Sequence, residues 1–327
     1  MDVGTFLRSV ESEPHRERTR AMLRAHPEIR RLVGRHPATI GYIVALVVLQ
    51  FGIAFLVQAL AWWKVALVAY LVGAFAQHGL YVLMHETNHD LVFKRRAWNS
   101  LAGILANLAS VIPSSVSFQR YHLKHHTFQG VYELDGDIAS EWEARLVGNS
   151  ALRKALWMLF LAVFLSLRPA HLREMRHVCR WTLLNIAVVF AADGLVLGLL
   201  EPGAFLYLTL SMAFSLGLHP VGARWIQEHY VFHPPQETYS YYGPLNLIAF
   251  NIGYHNEHHD FPAVPWNRVP QVRRIAAAWY EPLACHRSWT RLLFRFVFDP
   301  RITLFSRVDR RNRGDAVPLA AAAASGQ

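Results

Sequence analysis

Histidine is the residue in which this sequence concentrates its chemistry. Of 18 histidines, eight fall in three clusters. His85 and His89 lie in MHETNHD (84–90), His122, His125 and His126 in QRYHLKHHTFQG (119–130), and His255, His258 and His259 in NIGYHNEHHDFPAVP (251–265). Neutral imidazole offers a lone pair to zinc, copper, iron or nickel, so ligand type alone names no metal. Spacing says more. His85, Glu86 and His89 spell H-E-x-x-H, which on a helix sets two imidazoles one turn apart for zinc, with the glutamate as general base of a metalloprotease. The other two clusters share the form H-x-x-H-H, and residues i, i+3 and i+4 lie on one helical face, so each triplet can aim its rings at a common point. A catalytic zinc takes about three protein ligands, so eight histidines are too many for one such site and enough for two metals with about four nitrogens each and an open position. Two redox metals with room for oxygen suit attack on an unactivated C–H bond. That count leaves a zinc membrane protease, or a non-catalytic metal-binding membrane protein, as the lesser reading.

These side chains need elements to hold them, and composition names the surroundings. The chain has 327 residues, 53% of them hydrophobic, and a mean hydropathy of +0.17. That is too apolar for an ordinary soluble domain and indicates a membrane protein. Four apolar stretches approach the ~20 residues that cross a bilayer, near 40–60, 65–84, 181–200 and 203–218. Trp62-Trp63-Lys64 joins the first two and Glu201-Pro202-Gly203 the last two, which makes two helical hairpins. The fourth stretch is the shortest and has room to continue through His219 and Pro220. Ala155 to Leu167 and Leu101 to Val116 are too short to cross and read as interfacial or core helices. All three histidine clusters then share one side with all but Lys64 of the 33 basic residues. By the positive-inside rule that side is cytoplasmic.

The net charge of +10 is therefore largely topological, with anionic lipid headgroups as neighbours rather than nucleic acid. Cys179 and Cys285 stand far apart, so neither a disulfide framework nor a thiolate metal site is expected. The first residues, MDVGTFLRSVESEPHRERTR, are polar and unlike a secretory signal, and Asp2 excludes N-myristoylation. There is no G-x-G-x-x-G fingerprint and no fused haem domain, so electrons must come from a partner. Lys94-Arg95-Arg96 and Arg273-Arg274 are basic segments that could receive an acidic carrier. Alanine-rich 316–327 reads as a disordered tail, and the richness in Ala, Leu and Arg points to a GC-rich bacterial genome.

The three clusters, together with EPHRERTRAMLRAHPEIRRL (13–32), GLHPVGARWIQEHYVF (217–232) and ETYSYYGPLN (237–246), resemble the sphingolipid delta-4 desaturases, or dihydroceramide desaturases. That family belongs to the membrane fatty-acid desaturase and hydroxylase superfamily, and the resemblance covers nearly the whole chain. It implies an all-α integral membrane protein of about four transmembrane helices in two hairpins, under a cytoplasmic helical cap that holds a histidine-rich di-iron site. It implies a cytoplasmic N-terminal segment over 1–39 and a membrane desaturase domain over 40–315, ahead of the tail. It also implies two ferrous ions on the eight cluster histidines, with His229 of WIQEHY as a further metal ligand and His219 a weaker candidate. The implied co-substrate is O2, and the implied electron donor is cytochrome b5-like or ferredoxin-like. The implied substrate is dihydroceramide or a related sphingolipid, whose sphingoid base gains a trans double bond between carbons 4 and 5. A 4-hydroxylase of the same substrate, or a desaturase or hydroxylase of another acyl lipid, is the alternative. Such a multi-pass protein, with both termini and its active site cytoplasmic, would sit in a bacterial inner membrane, or in the endoplasmic reticulum of a eukaryote. Glu86, Asp90, Glu228, Glu257 and Asp260 adjoin the histidines and are candidates to accept their second ring N–H. His78 and Gln77 lie inside the second span, where polar groups serve function or helix packing. At Arg224 the sequence departs from the histidine of the family's animal members.

Overall fold

The computed structural model describes residues 4–168, 172 and 178–311; residues 316–327, read above as a tail, lie outside them. Helix α1 (His15–Ala25) precedes two apolar helices, α2 (Thr39–Val57) and α3 (Trp62–Asn88). Next come α4 (Arg96–Asn107) and α5 (Ser115–Phe128), where the segments Arg96–Ser110 and Ser115–Phe128 meet at a bend of 114°. Three short helices follow, α6 (Glu141–Val147), α7 (Ala151–Leu159) and α8 (Leu161–Leu167). The second apolar pair is α9 (Arg180–Leu199) and the run Pro202–His229, which comprises α10 (Pro202–Leu216), a 3-10 turn and α11 (Arg224–His229). The chain closes with α12 (His255–Asp260), α13 (Val269–Ile275), α14 (Ala277–Tyr280) and α15 (Trp289–Phe298).

The expected helical class with four apolar spans is what the chain adopts. Of their most apolar windows, 56% of α3 and 50% of Pro202–His229 is buried, against 28% of α2 and 22% of α9. The first two are therefore the inner pair. The outer pair turns Val48, Phe55, Leu56, Phe190, Leu195 and Leu199 outward, a surface that belongs in lipid rather than water. A side chain at Gly73 would put its Cβ 2.1 Å from Ser211 Oγ, and one at Gly203 would put it 2.1 Å from the Gln58 carbonyl. Glycine thus allows the close approach of α3 to α10 and of the two hairpins to each other. Inside the bundle Gln50 donates to Gln77 (3.0 Å), Tyr207 donates to Gln50 (2.6 Å) and Gln77 donates to Ser110 (2.7 Å). Gln77 accordingly serves helix packing, and His78 Nδ1 lies 3.2 Å from the Ser215 carbonyl.

The second and fourth spans run past the apolar stretches at 65–84 and 203–218, to Asn88 and His229. Their inner ends are polar but buried in the cap, where α3 continues unbroken and the fourth span passes from α10 through a 3-10 turn into α11. The sharp turn into α5 is held by Asn107, whose Oδ1 accepts the N–H of Ser114 (2.8 Å) and Ser115 (3.1 Å) and the side chain of Asn185 (2.9 Å). These bonds occupy otherwise orphaned donors at the start of α5. Neither Ala155–Leu167 nor Leu101–Val116 forms one straight crossing helix. The first is divided between α7 and α8, and the second turns through Ser110–Ser114.

The cap is braced at Asp260. Its carboxylate binds His15 Nδ1 (2.8 Å), Arg18 Nε (2.9 Å) and the Tyr280 hydroxyl (2.9 Å), tying α1 and α14 to α12. A parallel pair of three-residue strands, β1 (Leu7–Ser9) on β2 (Val308–Arg310), fastens the two ends of the described chain together.

Candidate metal centre

The nine histidines singled out above come together at the inner ends of the spans, in two groups. His85, His89, His122, His126 and His258 form the first, and His125, His229, His255 and His259 the second; within each group one nitrogen per ring lies within 4.8 Å of the others. The triplets do not converge on single points, as their helical face suggested. At 100° per residue, i and i+4 stand about 40° apart while i+3 falls on the other flank of the pair, and each helix runs between the two groups. α5 sends His122 and His126 to the first group and His125 to the second. α12 does the reverse, sending His255 and His259 to the second group and His258 to the first. The end of α3 completes the first group and the end of α11 the second, so the division is five and four rather than equal.

The donor geometry suits cations. His122 Nε2 lies 3.0 Å from His89 Nε2 and 3.1 Å from His126 Nε2, which is 3.0 Å from His258 Nε2. In the second group His229 Nε2 lies 3.0 Å from His125 Nε2 and 2.9 Å from His255 Nε2, and His125 Nε2 is 3.4 Å from His259 Nε2. A ring nitrogen carries one proton or one lone pair, so such hubs are poor hydrogen-bond networks. Ligands about 2.1 Å from one metal stand about 3.0 Å apart at right angles and about 3.4 Å apart in a tetrahedron, the range seen here. Burial pushes His89 down to about 3. Burial first, and then the neighbouring imidazoles, hold His255, His258 and His259 well below the ordinary histidine range. These rings are neutral, with lone pairs available.

The carboxylates divide by role. Asp135, which adjacency in sequence does not single out, accepts from His125 Nδ1 (2.8 Å) and from the backbone N–H of Gly130 (2.8 Å) and Asp137 (2.9 Å). Glu228 Oε1 lies 3.3 Å from His255 Nδ1 and is paired with Arg224, whose guanidinium covers the rings of Tyr81 and Trp225. Glu86 Oε1 is 3.8 Å from His85 Nδ1, and its other oxygen accepts the Trp266 N–H (2.9 Å). The other three candidates serve elsewhere. Asp90 takes the left-handed conformation that ends α3 (φ 58°). Glu257 accepts from Ser240 (2.7 Å) and Tyr242 (2.6 Å), and burial raises its carboxyl above the ordinary range. Asp260 binds His15. His219 also stays outside both groups: its Nδ1 accepts the Val221 N–H (3.3 Å) and its ring packs on Tyr70 and Phe75.

Asp135→Asn, which keeps the shape but removes the charge behind His125, is expected to weaken metal retention about 10–100-fold, measured by dialysis against a chelator. Glu86→Gln is expected to lose less, because only Asp135 makes a full hydrogen bond to its histidine; equal losses would contradict the ranking.

A partly open cavity lies beside the first group, lined in part by Gln77, Tyr81, Ser110, Phe118, Ser166 and Met212. The Phe118 ring stands between it and the histidines, stacked on His122 at 5.0 Å and tilted against Tyr81 at 4.8 Å.

Four membrane-length helices, two of which end among nine converged imidazoles, have the build of a membrane-embedded metal centre. The fatty acid desaturase profile matches residues 60–297 and the sphingolipid delta4-desaturase profile residues 4–38. A sphingolipid delta(4)-desaturase DES1-like protein of Oryza sativa subsp. japonica is 41% identical over 306 residues, 94% of this chain and 93% of that one. The sphingolipid delta(4)-desaturases DES1 of Drosophila melanogaster and Homo sapiens are 40% and 37% identical, over 92% and 93% of this chain and 94% of each relative. The chain belongs to the fatty acid desaturase family and is an oxidoreductase.

Proposed function

We propose that the protein is a sphingolipid delta-4 desaturase, which converts dihydroceramide to ceramide by a trans double bond between carbons 4 and 5 of the sphingoid base. The observation that carries this reading is the convergence of nine histidines from four segments on two points, in a chain 37–41% identical to proteins named for that activity. On this reading the first group holds one iron and the second another. Two bound ferrous ions would supply the oxygen activation needed to take hydrogen from unactivated C–H bonds. The overall change balances as loss of one hydrogen from each of carbons 4 and 5, with uptake of O2, two electrons and two protons and release of two waters.

The protein's own part is geometric. A flexible chain must be held with one methylene pair against the site, because an error of one carbon misplaces the double bond. The cavity behind Phe118 meets that need with an apolar wall. The hydroxyls of Tyr81, Ser110 and Ser166 on its lining can pair with the hydroxyl and amide groups that a sphingoid base carries next to carbon 4. Asp135 keeps the ring of His125 in one orientation through its bond to Nδ1, while Glu228 sets a carboxylate 3.3 Å from His255 Nδ1.

We infer that the cap faces the cytoplasm, supported by the placement of all but one of the 33 basic residues. Residues 1–39 would then be a cytoplasmic segment, 40–315 the membrane desaturase domain, and a bacterial inner membrane the setting, with the endoplasmic reticulum the eukaryotic counterpart. Expressed in cells lacking dihydroceramide desaturation, the chain is expected to yield a trans 4,5-unsaturated base by mass spectrometry. A 4-hydroxy base alone would make it a hydroxylase. Neither product, from folded protein with a working donor, would reassign it to another acyl lipid.

A further inference from the structure

Desaturation takes two electrons per turnover from outside the chain, and the inference here rests on that reading. Most of the nine rings are sealed in; His89 and His126 are partly exposed, and His259 of the other group lies beside His126. These two rings, one from each group, stack at 4.2 Å and 23°. Other approaches between the groups are longer, 5.7 Å for His125 with His126 and 5.8 Å for His258 with His259. Both rings reach a surface depression, rimmed by Glu13 just before α1 and by Arg16, Thr19 and Arg20 of α1.

The rim is rigid and basic. His15 and Arg18 anchor α1 to Asp260, next to His259, and the rings of His15 and His259 lie 4.9 Å apart. Arg16 and Arg20, one turn apart, are exposed, and neither makes an ion pair among the described residues. Arg24 continues the row by another turn. Glu13 is turned back on the helix, its carboxylate accepting the N–H of His15 (2.7 Å) and Arg16 (3.3 Å), which leaves Glu17 as the exposed acid of α1. Of the basic segments legible in the sequence, Arg273 is less suited to docking, since its guanidinium lies 3.5 Å over the Tyr242 ring.

We propose that an acidic one-electron carrier docks on the α1 face around Arg16 and Arg20 and delivers electrons between His126 and His259. Two encounters complete one turnover: each oxidises one carrier by one electron, and the two protons are taken from water. Exposed guanidinium groups on an anchored helix attract and orient an acidic partner, and they rim the depression that a ring from each group reaches.

The test uses the full chain in nanodiscs, with two probes, the soluble haem domain of cytochrome b5 and a plant-type ferredoxin. Binding is measured on metal-free protein, so it does not depend on activity. The wild type is expected to bind at least one carrier at low salt, more weakly as salt screens the contact. Arg16→Glu with Arg20→Glu should raise its Kd on the order of tenfold or more, while Arg16→Lys with Arg20→Lys stays near wild type. Lys94→Glu with Arg95→Glu, reversing another exposed basic patch, should change little. In the iron-loaded protein the α1 reversal should slow carrier-driven turnover and leave dithionite-driven turnover unchanged. No binding of either carrier to the wild type, an α1 reversal without effect, or equal losses from both reversals would overturn the proposal. So would a reversal that lowers affinity for anionic vesicles while carriers bind as before, which would give this face to lipid. A wild type that turns over no dihydroceramide with dithionite would sink the desaturase reading itself, an outcome the binding measurements keep separate.

Discussion

His258→Ala is expected to abolish product and to remove about one of two bound irons, while the protein still accumulates in the membrane. His258 is the one residue α12 gives to the five-histidine group, where its Nε2 lies 3.0 Å from His126 Nε2 and its ring touches those of His85 and His89. Its neighbours His255 and His259 serve the other group, so the loss is confined to one centre. Losing an outer partner of a ligand costs roughly 10–100-fold in metal affinity or activity; losing the ligand should cost more. Sphingoid-base analysis and metal content on the same preparation check this, and full iron with normal product would contradict the assignment. Asp260→Asn makes a useful companion. It loosens α1 without touching a site histidine, so it should reduce stability before it reduces iron.

Arg168→Met should produce the largest loss of stability. Arg168 grips Glu143 with two bonds, Nη2 to Oε1 at 2.8 Å and Nε to Oε2 at 3.2 Å, and donates to the Asp137 carbonyl at 3.1 Å. Glu143 also accepts from Trp157 (2.6 Å) and caps α6 through the Ser140 N–H (3.2 Å), while Asp137 pairs with Arg307 at 2.8 Å. Both ends of the Arg168–Glu143 pair are buried. Removing one partner of such a pair strands the other charge, at a cost of about 3–5 kcal/mol. The same contacts brace the loop that carries Asp135, so iron retention should fall with the melting temperature. Thermal unfolding in detergent reads the first effect. The double variant Arg168→Met with Glu143→Gln, which removes the stranded charge, should recover part of the loss. A single variant that melts like wild type would show that the pair contributes nothing.

The spans were legible because lipid demands long apolar runs, and the histidines because nothing else explains their number. Their ends were not. α3 continues four residues beyond Met84 and the fourth span reaches His229, because the polar inner turns are paid for by burial in the cap, which a hydropathy window does not register. The division of each triplet was likewise hidden: spacing shows that His122, His125 and His126 share a flank of a helix, but not that the helix runs between two centres. Asp135 escaped because it lies ten residues from His125 and reaches it only through the loop after Gly130. Conversely, Asp90 and Glu257 are adjacent to site histidines in sequence, yet one ends a helix and the other faces Ser240 and Tyr242. Adjacency along a chain is weak evidence of contact when a helix turns 100° at each residue.

The most direct test of the account is the metal content of the purified protein, wild type beside His258→Ala and His229→Ala, one from each histidine group. With neutral imidazoles filling most positions of both centres, about two irons per wild-type chain and about one in each variant are predicted. A single zinc per chain, or a His229→Ala protein that keeps its full complement of iron, would contradict it.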